Sequence, residues 1–299
     1  MVSTPELFAR QGILGFEIPA TPDLEHRLLR IRSPRYVDYE AGSLILRRFA
    51  WLYEHPEVPR PPCNLIYADT NNGKTALARK FIRDVTPQEG DPQYGKLPVV
   101  YCHSPPYADL VGLYDSILRA LDAPYRTSTR AQGKWDQILH LLPAVGTRML
   151  VVDEVNNLLV GKPDSRIMVL NSLKSLSNEL RIPVVAMGTQ DAVRVFQTSP
   201  ELGNRFEPIG IPRWTISAEY GLFVSRFVKS LELREESSFR SKDLVSRIHR
   251  MAEGLTGETC KLMSIAAEVA IQTGREVIDM ETLDKVPWVM PSERRRAAR

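Results

Sequence analysis

The residues best suited to chemistry lie in the stretch Ala68-Asp69-Thr70-Asn71-Asn72-Gly73-Lys74-Thr75. It follows the apolar run 65–67 and precedes a helical pattern that begins at Ala76. A strand, a tight loop ending in Gly-Lys-Thr and a helix form a phosphate-binding loop, because successive backbone N–H groups and the helix N-terminus surround phosphate oxygens. The stretch therefore predicts a site for a nucleoside triphosphate that includes Ala68 through Ala76.

Three residues of this loop have distinct predicted roles. Lys74 would place its ammonium between the β- and γ-phosphates, Thr75 would offer its hydroxyl to Mg²⁺, and Gly73 would let the backbone approach the phosphate oxygens. Ala68 stands where the usual pattern has glycine, and alanine tolerates positive φ poorly. The alternative is an ordinary strand-to-helix turn that happens to contain Gly-Lys-Thr.

A second stretch supplies carboxylates. The continuous apolar run 149–152 is typical of a strand buried on both faces, and it ends in Asp153-Glu154. At the carboxyl end of such a strand Asp153 can hold Mg²⁺ through water, while Glu154 can orient or deprotonate an attacking water. The alternative is a buried strand that ends in two acids because it reaches solvent.

Composition indicates a globular protein without a membrane segment. The chain has 299 residues, 43% hydrophobic and 25% charged, with a net charge of +3. It contains no apolar run near the 20 or so residues that span a bilayer and no secretory signal pattern, so we expect a cytoplasmic protein. Cys63, Cys102 and Cys260 are widely spaced, which predicts reduced packing residues.

Alternating strand and helix patterns predict an α/β fold with a five-stranded parallel sheet, followed by a helical lid. The predicted strands are 64–67, 97–102, 149–152, 184–187 and 208–211. The predicted domains are 1–60, an N-terminal extension with one helix; 61–214, the nucleotide-binding core; 215–290, the helical lid; and 291–299, a basic tail.

Three further residues are candidates for catalysis. Thr189 or Gln190, after the fourth strand, could sense the γ-phosphate, although either could instead be a polar helix cap. Arg205, just before the last strand, could point outward into a neighbouring subunit and stabilise charge on the transferring phosphoryl group. The alternative for Arg205 is an ordinary surface arginine.

With these elements in this order, the chain resembles an AAA+ ATPase, a P-loop NTPase. More narrowly, it resembles the TniB/TnsC/MuB group of transposition regulators over about residues 31–283. The narrower resemblance rests on Asp69-Thr70-Asn71-Asn72-Gly73-Lys74-Thr75, Val152-Asp153-Glu154-Val155-Asn156-Asn157-Leu158-Leu159, the stretch 171–180, and Gly203-Asn204-Arg205-Phe206 with Pro212-Arg213-Trp214 after it. The stretch 232–236 departs from the group, which more often has a Leu-Pro-Leu-like turn there.

The resemblance implies an ATP- and Mg²⁺-dependent protein that assembles as rings or helical filaments on duplex DNA. It also implies two protein partners, a transposase and a target selector of the TniQ type. DNA contacts should go to phosphates, since a regulator that marks many targets must not read bases. Among the basic residues between the second and third strands we favour Arg126, Arg130 and Lys134, with a solvated face as the alternative.

Basic residues at the two ends of the chain leave more than one interpretation open. Arg27, Arg30, Arg32 and Arg35 crowd the N-terminal segment, and the tail from Arg294 could bind DNA, dock on the transposase or be merely solvated. Two other functions remain open for the whole chain: a helicase loader or replication initiator of the AAA+ class, and a signalling switch that binds ATP and hydrolyses it little. DNA-stimulated turnover would distinguish them.

Overall fold

The structure is a computed structural model that describes residues 22–197 and 200–297. The chain forms two compact units. The α/β unit contains Glu40–Thr70 and Lys74–Pro212; the helical unit contains the described chain up to Tyr39, Asn71–Gly73 and the chain from Arg213. The segment predicted as one N-terminal extension is thus divided between the two units, at Tyr39.

Five parallel strands form one sheet, as predicted. They are β1 (Cys63–Tyr67), β2 (Val99–His103), β3 (Met149–Asp153), β4 (Val184–Gly188) and β5 (Phe206–Gly210). Their order in the sheet is β2-β3-β4-β1-β5. The apolar strands β3 and β4 are buried throughout, whereas β5 lies at an edge and is largely exposed after its first residue. The edge position explains how β5 accommodates Pro208, which has no N–H to donate.

Helices connect the strands and continue after β5. In chain order they are α1 (Pro22–Arg32), α2 (Glu40–Tyr53), α3 (Lys74–Val85), α4 (Leu110–Ala120), α5 (Ala131–Ala144), α6 (Pro163–Leu180), α7 (Gln190–Phe196), α8 (Pro200–Arg205), α9 (Ala218–Lys229), α10 (Lys242–Ala252), α11 (Thr256–Gln272), α12 (Met280–Asp284) and α13 (Pro291–Ala297). A 3₁₀ helix, Val155–Leu159, follows β3. None of the helices in the described ranges is both long and apolar enough to cross a membrane.

The core of the α/β unit forms where the sheet packs against its helices. Leu113 of α4, Leu150 of β3 and Leu173 of α6 are fully buried in it. Cys63 and Cys102 are buried there as well, and both are free thiols, as expected for packing residues. Apolar burial of this extent holds the carboxyl ends of β1, β3 and β4 in fixed positions, and all the predicted catalytic residues except Arg205 follow those ends.

In the helical unit, α1 is tied to the C-terminal helices by ion pairs. Arg27 donates to both carboxylate oxygens of Glu276, at 2.8 and 2.6 Å. Arg32 donates to both oxygens of the buried Glu268, at 3.1 and 2.7 Å. Arg30 pairs with Glu232, and Arg35 donates to the carbonyl of Ser230. The N-terminal arginines therefore have partners within their own unit.

Candidate nucleotide site

The phosphate-binding loop has positive φ at two positions, and Ala68 is not one of them. Asn71 has φ 61° and Gly73 has φ 89°. Asparagine and glycine are the residues that adopt this conformation most readily. Ala68 is buried, and its N–H donates to the carbonyl of Gly188 at the end of β4, at 3.1 Å. Alanine therefore fits the first position of this loop without backbone strain.

Lys74, at the start of α3, turns its ammonium into the loop. The residue is only 7% exposed, and its Nζ donates to the carbonyls of Ala68 and Asp69, at 3.0 and 3.1 Å. Burial lowers the pKa of the Lys74 ammonium, against the opposing effect of nearby carboxylates. A bound polyphosphate would supply countercharge to this dehydrated cation, as the motif predicts.

Asp153, the last residue of β3, accepts three hydrogen bonds although it is 0% exposed. Thr75 Oγ1 and Tyr101 Oη donate to Asp153 Oδ2, at 2.7 and 2.6 Å, and the backbone N–H of Glu154 donates to Oδ1, at 2.8 Å. Thr75 and Asp153 are 78 positions apart in the sequence, and the fold brings them into contact. A hydroxyl and a buried carboxylate fit the hard oxygen ligands that Mg²⁺ prefers.

Tyr101 belongs to this cluster, and the sequence analysis missed it. It lies on β2, where it is in register with Val151 of the neighbouring β3. Burial and the hydrogen bond to Asp153 raise the pKa of the Tyr101 phenol, so it remains a hydrogen-bond donor. The sequence does not indicate a contact between Tyr101 and Asp153 until β2 is known to lie beside β3. Within the described residues, no three His, Cys, Asp or Glu side chains converge on one point as they would at a protein-only metal site.

Glu154 lies directly after the buried strand, in a left-handed backbone conformation with φ 60° and ψ 34°. Asn156 Nδ2 donates to Glu154 Oε2, at 3.2 Å. A left-handed conformation is unfavourable for a residue with a Cβ, so the surrounding structure holds it in place. The side chain of Glu154 is thereby held at the end of β3 by Asn156, a residue to which the sequence analysis gave no role.

Thr189 and Gln190 follow β4, the neighbour of β3. Thr189 is the N-cap of α7 but its side chain makes no capping hydrogen bond, and Gln190 is exposed at the first position of the helix. The glycine before them is required by packing, since a Cβ at Gly188 would lie 2.9 Å from the Cβ of Ala192 and 3.0 Å from Cγ2 of Val155. Of the two candidate sensors, Thr189 is half-exposed and Gln190 is exposed.

Arg205 does not point outward in this structure, contrary to the prediction. It is 6% exposed, and its guanidinium donates to Ser177 Oγ and Asn178 Oδ1, both at 2.9 Å. Burial lowers the pKa of Arg205. The residue directly precedes β5, beside the amino end of β1, because Cys63 and Phe206 are in register. The phosphate loop follows the opposite end of β1, about 16 Å away at 3.3 Å per residue.

Of the three basic residues favoured for DNA binding, Lys134 is wrongly assigned. Its side chain is fully buried, and its ammonium pairs with Asp115 of α4. A phosphate of DNA cannot reach a buried ammonium that already pairs with a carboxylate. Arg126 and Arg130, in the segment between α4 and α5, are exposed.

The middle of the phosphate loop is bonded within the helical unit to the start of α11. Asn72 Oδ1 accepts from the backbone N–H and the hydroxyl of Thr256, at 3.0 and 3.1 Å. The N–H of Gly257 donates to the carbonyl of Asn71, at 2.9 Å. The two asparagines that distinguish this loop thus fix its middle residues to a helix about 180 positions later, which no local pattern could indicate.

The parallel sheet with this strand order, the phosphate loop after β1 and the acidic end of β3 define an AAA+ P-loop fold. Three solved structures share it. The Aeropyrum pernix ORC2 protein in its ADPNP–ADP complexes is 15% identical, with a TM-score of 0.61 over 86% of this chain and 70% of that chain. Cdc6p from Pyrobaculum aerophilum is 18% identical, with a TM-score of 0.59 over 84% and 68%. The A. pernix ORC1 protein in complex with DNA is 17% identical, with a TM-score of 0.58 over 90% and 69%.

The family is narrower than the fold. The family described as bacterial TniB protein matches residues 27–216. Because this match covers more than half of the 299 residues, the chain belongs to the TniB family. A comparison with curated protein sequences finds no match.

Proposed function

We propose that this protein is an ATPase that regulates DNA transposition by assembling on target duplex DNA in its ATP-bound state. The observation that carries the proposal is the contact between Thr75 and the buried Asp153, which joins the two halves of a nucleotide site within a chain of the TniB family. The ORC1 structure in complex with DNA supports a DNA-associated role for this fold.

The residues divide the proposed chemistry among them. Lys74 binds the β- and γ-phosphates, and Thr75 with Asp153 holds Mg²⁺, which when bound neutralises charge on the phosphates. Glu154 accepts the proton of the attacking water at a carboxylate oxygen, and Thr189 orients the γ-phosphate or that water. Tyr101 keeps the Asp153 carboxylate in position through its own hydrogen bond.

We infer self-association from the position of Arg205. An arginine at the amino edge of the sheet lies too far from the phosphate loop of its own chain to touch a bound nucleotide. We therefore place its role in the site of a neighbouring subunit, where its guanidinium leaves Ser177 and Asn178 to stabilise the transferring phosphoryl group. Assembly then depends on ATP, and hydrolysis loosens it into free subunits.

The partners proposed for the assembly are duplex DNA, a transposase and a target selector of the TniQ type. The exposed Arg126 and Arg130 would contact phosphates of the DNA backbone, which gives binding without a sequence preference. An ATP-gated platform of this kind links the selector, which chooses the target, to the transposase, which cuts and joins.

The experiment that tests the proposal measures ATP hydrolysis and particle size together, with and without duplex DNA and a non-hydrolysable ATP analogue. We expect long assemblies with DNA plus the analogue, and faster turnover when DNA is added to ATP. A protein that binds ATP but stays small and indifferent to DNA would contradict the proposal and favour a switch that gates a protein partner.

A further inference from the structure

A buried carboxylate lies against the phosphate loop in the helical unit. Glu258, in the first turn of α11, is 6% exposed, and its Oε1 accepts from Nδ2 of Asn71 at 2.9 Å. Carboxylates are favourable at the N-terminus of a helix. A phosphate loop, however, must take up an anion, and an uncompensated negative charge next to it would oppose polyphosphate binding.

The compensating charge comes from the basic tail. Arg294 of α13 donates to Glu258 Oε2, and the pair is part-buried. The tail residue thus reaches the phosphate loop through a single intervening side chain, in the order Arg294, Glu258, Asn71. The proposed function gives the basic tail no role, and this contact is the observation from which one can be inferred.

Arg294 is held in this position by its own supports. Its guanidinium lies 5.2 Å from the centre of the Trp288 ring, and its Nε donates to the carbonyl of Val289 at 3.1 Å. Trp288 Nε1 donates to the carbonyl of Met251, at 2.8 Å, and the N–H of Ser292 donates to Glu253 Oε1, at 2.8 Å. The neighbouring Arg296 on the same helix is exposed. The helix therefore presents one of these two arginines to Glu258 and the other to solvent.

The start of α11 also fits the loop closely. A Cβ at Gly257 would lie 2.2 Å from Asn71 Oδ1 and 2.7 Å from the carbonyl oxygen of Asn71. Such close contact means that the residues around Gly257 determine where the middle of the loop lies. A charge imbalance at Glu258 would consequently act on the loop both by repulsion and by displacing Asn71.

We propose that Arg294 is a positioning residue of the nucleotide site, which neutralises Glu258 so that the loop residue Asn71 stays in place and the loop accepts a polyphosphate. The inference rests on the proposed function, since it concerns the affinity of that same site for nucleotide. It makes the C-terminal helix a determinant of nucleotide affinity that acts through Glu258 and Asn71.

The test is a set of dissociation constants for a fluorescent ATP analogue, measured on the full chain. We expect Arg294→Ala to weaken binding about tenfold and Arg296→Ala, the matched control on the same helix, to change it less than twofold. Glu258→Gln keeps an acceptor for Asn71 without the charge. In that background Arg294→Ala should weaken binding less than twofold, because there is no carboxylate left to neutralise.

Several outcomes would overturn the inference. One is an Arg294→Ala variant that binds the analogue with the wild-type affinity. Another is a tenfold loss of affinity when Arg294→Ala is made in the Glu258→Gln background, which would mean that Arg294 only holds the helix in place. If Arg294→Ala fails to fold, as judged by its melting temperature, Arg294→Gln takes its place, since it keeps part of the stem. If the wild-type chain shows no nucleotide binding that Lys74→Met abolishes, the proposed function is overturned as well. If the wild-type chain binds nucleotide and Arg294→Ala does not change the affinity, this inference alone is overturned.

Discussion

At the scale of single residues, Lys74 and Asp153 are both charged groups that the protein buries. Burial of a charge opposes folding unless hydrogen bonds or opposite charges compensate for it. Asp153 has three donors around it, whereas the hydrogen bonds of Lys74 go to carbonyl oxygens. Because carbonyl oxygens carry no full charge, the Lys74 ammonium still favours a nearby anion, such as a phosphate of a nucleotide.

The substitution Lys74→Met separates binding from stability. Since burial lowers the pKa of Lys74, its charge opposes folding, and a methionine of similar length should leave the melting temperature unchanged or raise it. ATP binding should weaken at least 100-fold, because the phosphates lose their buried cation. Titration with a fluorescent ATP analogue and thermal unfolding measure both. A large fall in melting temperature would instead assign Lys74 a structural role.

At the scale of elements, the segment between α4 and α5 carries two exposed arginines, while the buried Lys134 of α5 pairs with Asp115 of α4. Mutation of the exposed arginines should change DNA affinity and not stability, and mutation of Lys134 should change stability and not DNA affinity. An exposed arginine near DNA contributes affinity that depends on salt, whereas removal of one partner from a buried ion pair leaves the other charge uncompensated and lowers stability.

Removing the exposed arginines tests the proposed DNA contact. Arg126→Ala and Arg130→Ala should each weaken duplex binding by about the same factor whatever the DNA sequence. Each should also make the slope of log K against log salt less steep by about 1. Lys134→Met is the matched control: it should leave that slope unchanged and reduce the free energy of unfolding by about 1 to 3 kcal/mol. Salt titrations of DNA binding and chemical denaturation provide the two measurements. An unchanged slope in both arginine variants would exclude this segment from the DNA interface.

The ion pair between α1 and the segment after α11 predicts a dependence of stability on pH. The hydrogen bonds from Arg27 hold the pKa of Glu276 below its usual range. A lowered pKa in the folded state means that the stabilisation is complete above the unfolded pKa of about 4.3 and is lost as pH falls through the folded value.

Glu276→Gln should therefore reduce the free energy of unfolding by about 1 to 2 kcal/mol at pH 7, since charged hydrogen bonds contribute about that much. The difference from wild type should shrink as pH falls below about 4.3. Denaturation curves at several pH values measure it. Glu232→Gln, in the exposed pair with Arg30, is the control and should change stability little at any pH. A pH-independent effect of Glu276→Gln would indicate packing rather than charge.

At the scale of the whole molecule, the direction of the strands separates two predicted functional residues. In a parallel sheet every strand has its amino end at the same edge, so Arg205 before β5 and the loop after β1 lie at opposite edges. A single chain consequently cannot bring both to one nucleotide, so the role proposed for Arg205 would need a neighbouring subunit.

Mixing variants tests this requirement. Arg205→Ala should keep ATP binding and lose turnover, and Lys74→Met should lose both. An equal mixture should recover part of the wild-type turnover, because the Lys74→Met subunit supplies Arg205 to a neighbour that holds ATP. Hydrolysis assays with DNA present measure the recovery, and melting temperatures check that Arg205→Ala is folded, since Arg205 is buried. Full turnover by Arg205→Ala alone, or an inactive mixture of folded chains, would contradict the trans role.

Local patterns in the sequence were sufficient to predict the strands and the turn between β1 and α3. Apolar runs such as 149–152 bury a strand whatever surrounds it, and a Gly-Lys-Thr turn between a strand and a helix has few other uses. The five-stranded parallel fold was predicted on this basis, and the TniB-like family was predicted from the resemblance of the quoted motifs; both are confirmed. These features depend on neighbours within a few positions in the chain.

Tertiary structure alone decided which distant residues meet. The order of the strands places Tyr101 beside Asp153, and the fold buries Lys134 and Arg205, which by composition are typical surface residues. It also joins Asn71 to Glu258 and Glu258 to Arg294. The physical reason is that burial and pairing depend on side chains from elsewhere in the chain. The local sequence around a basic residue therefore does not show whether it faces solvent or a buried carboxylate.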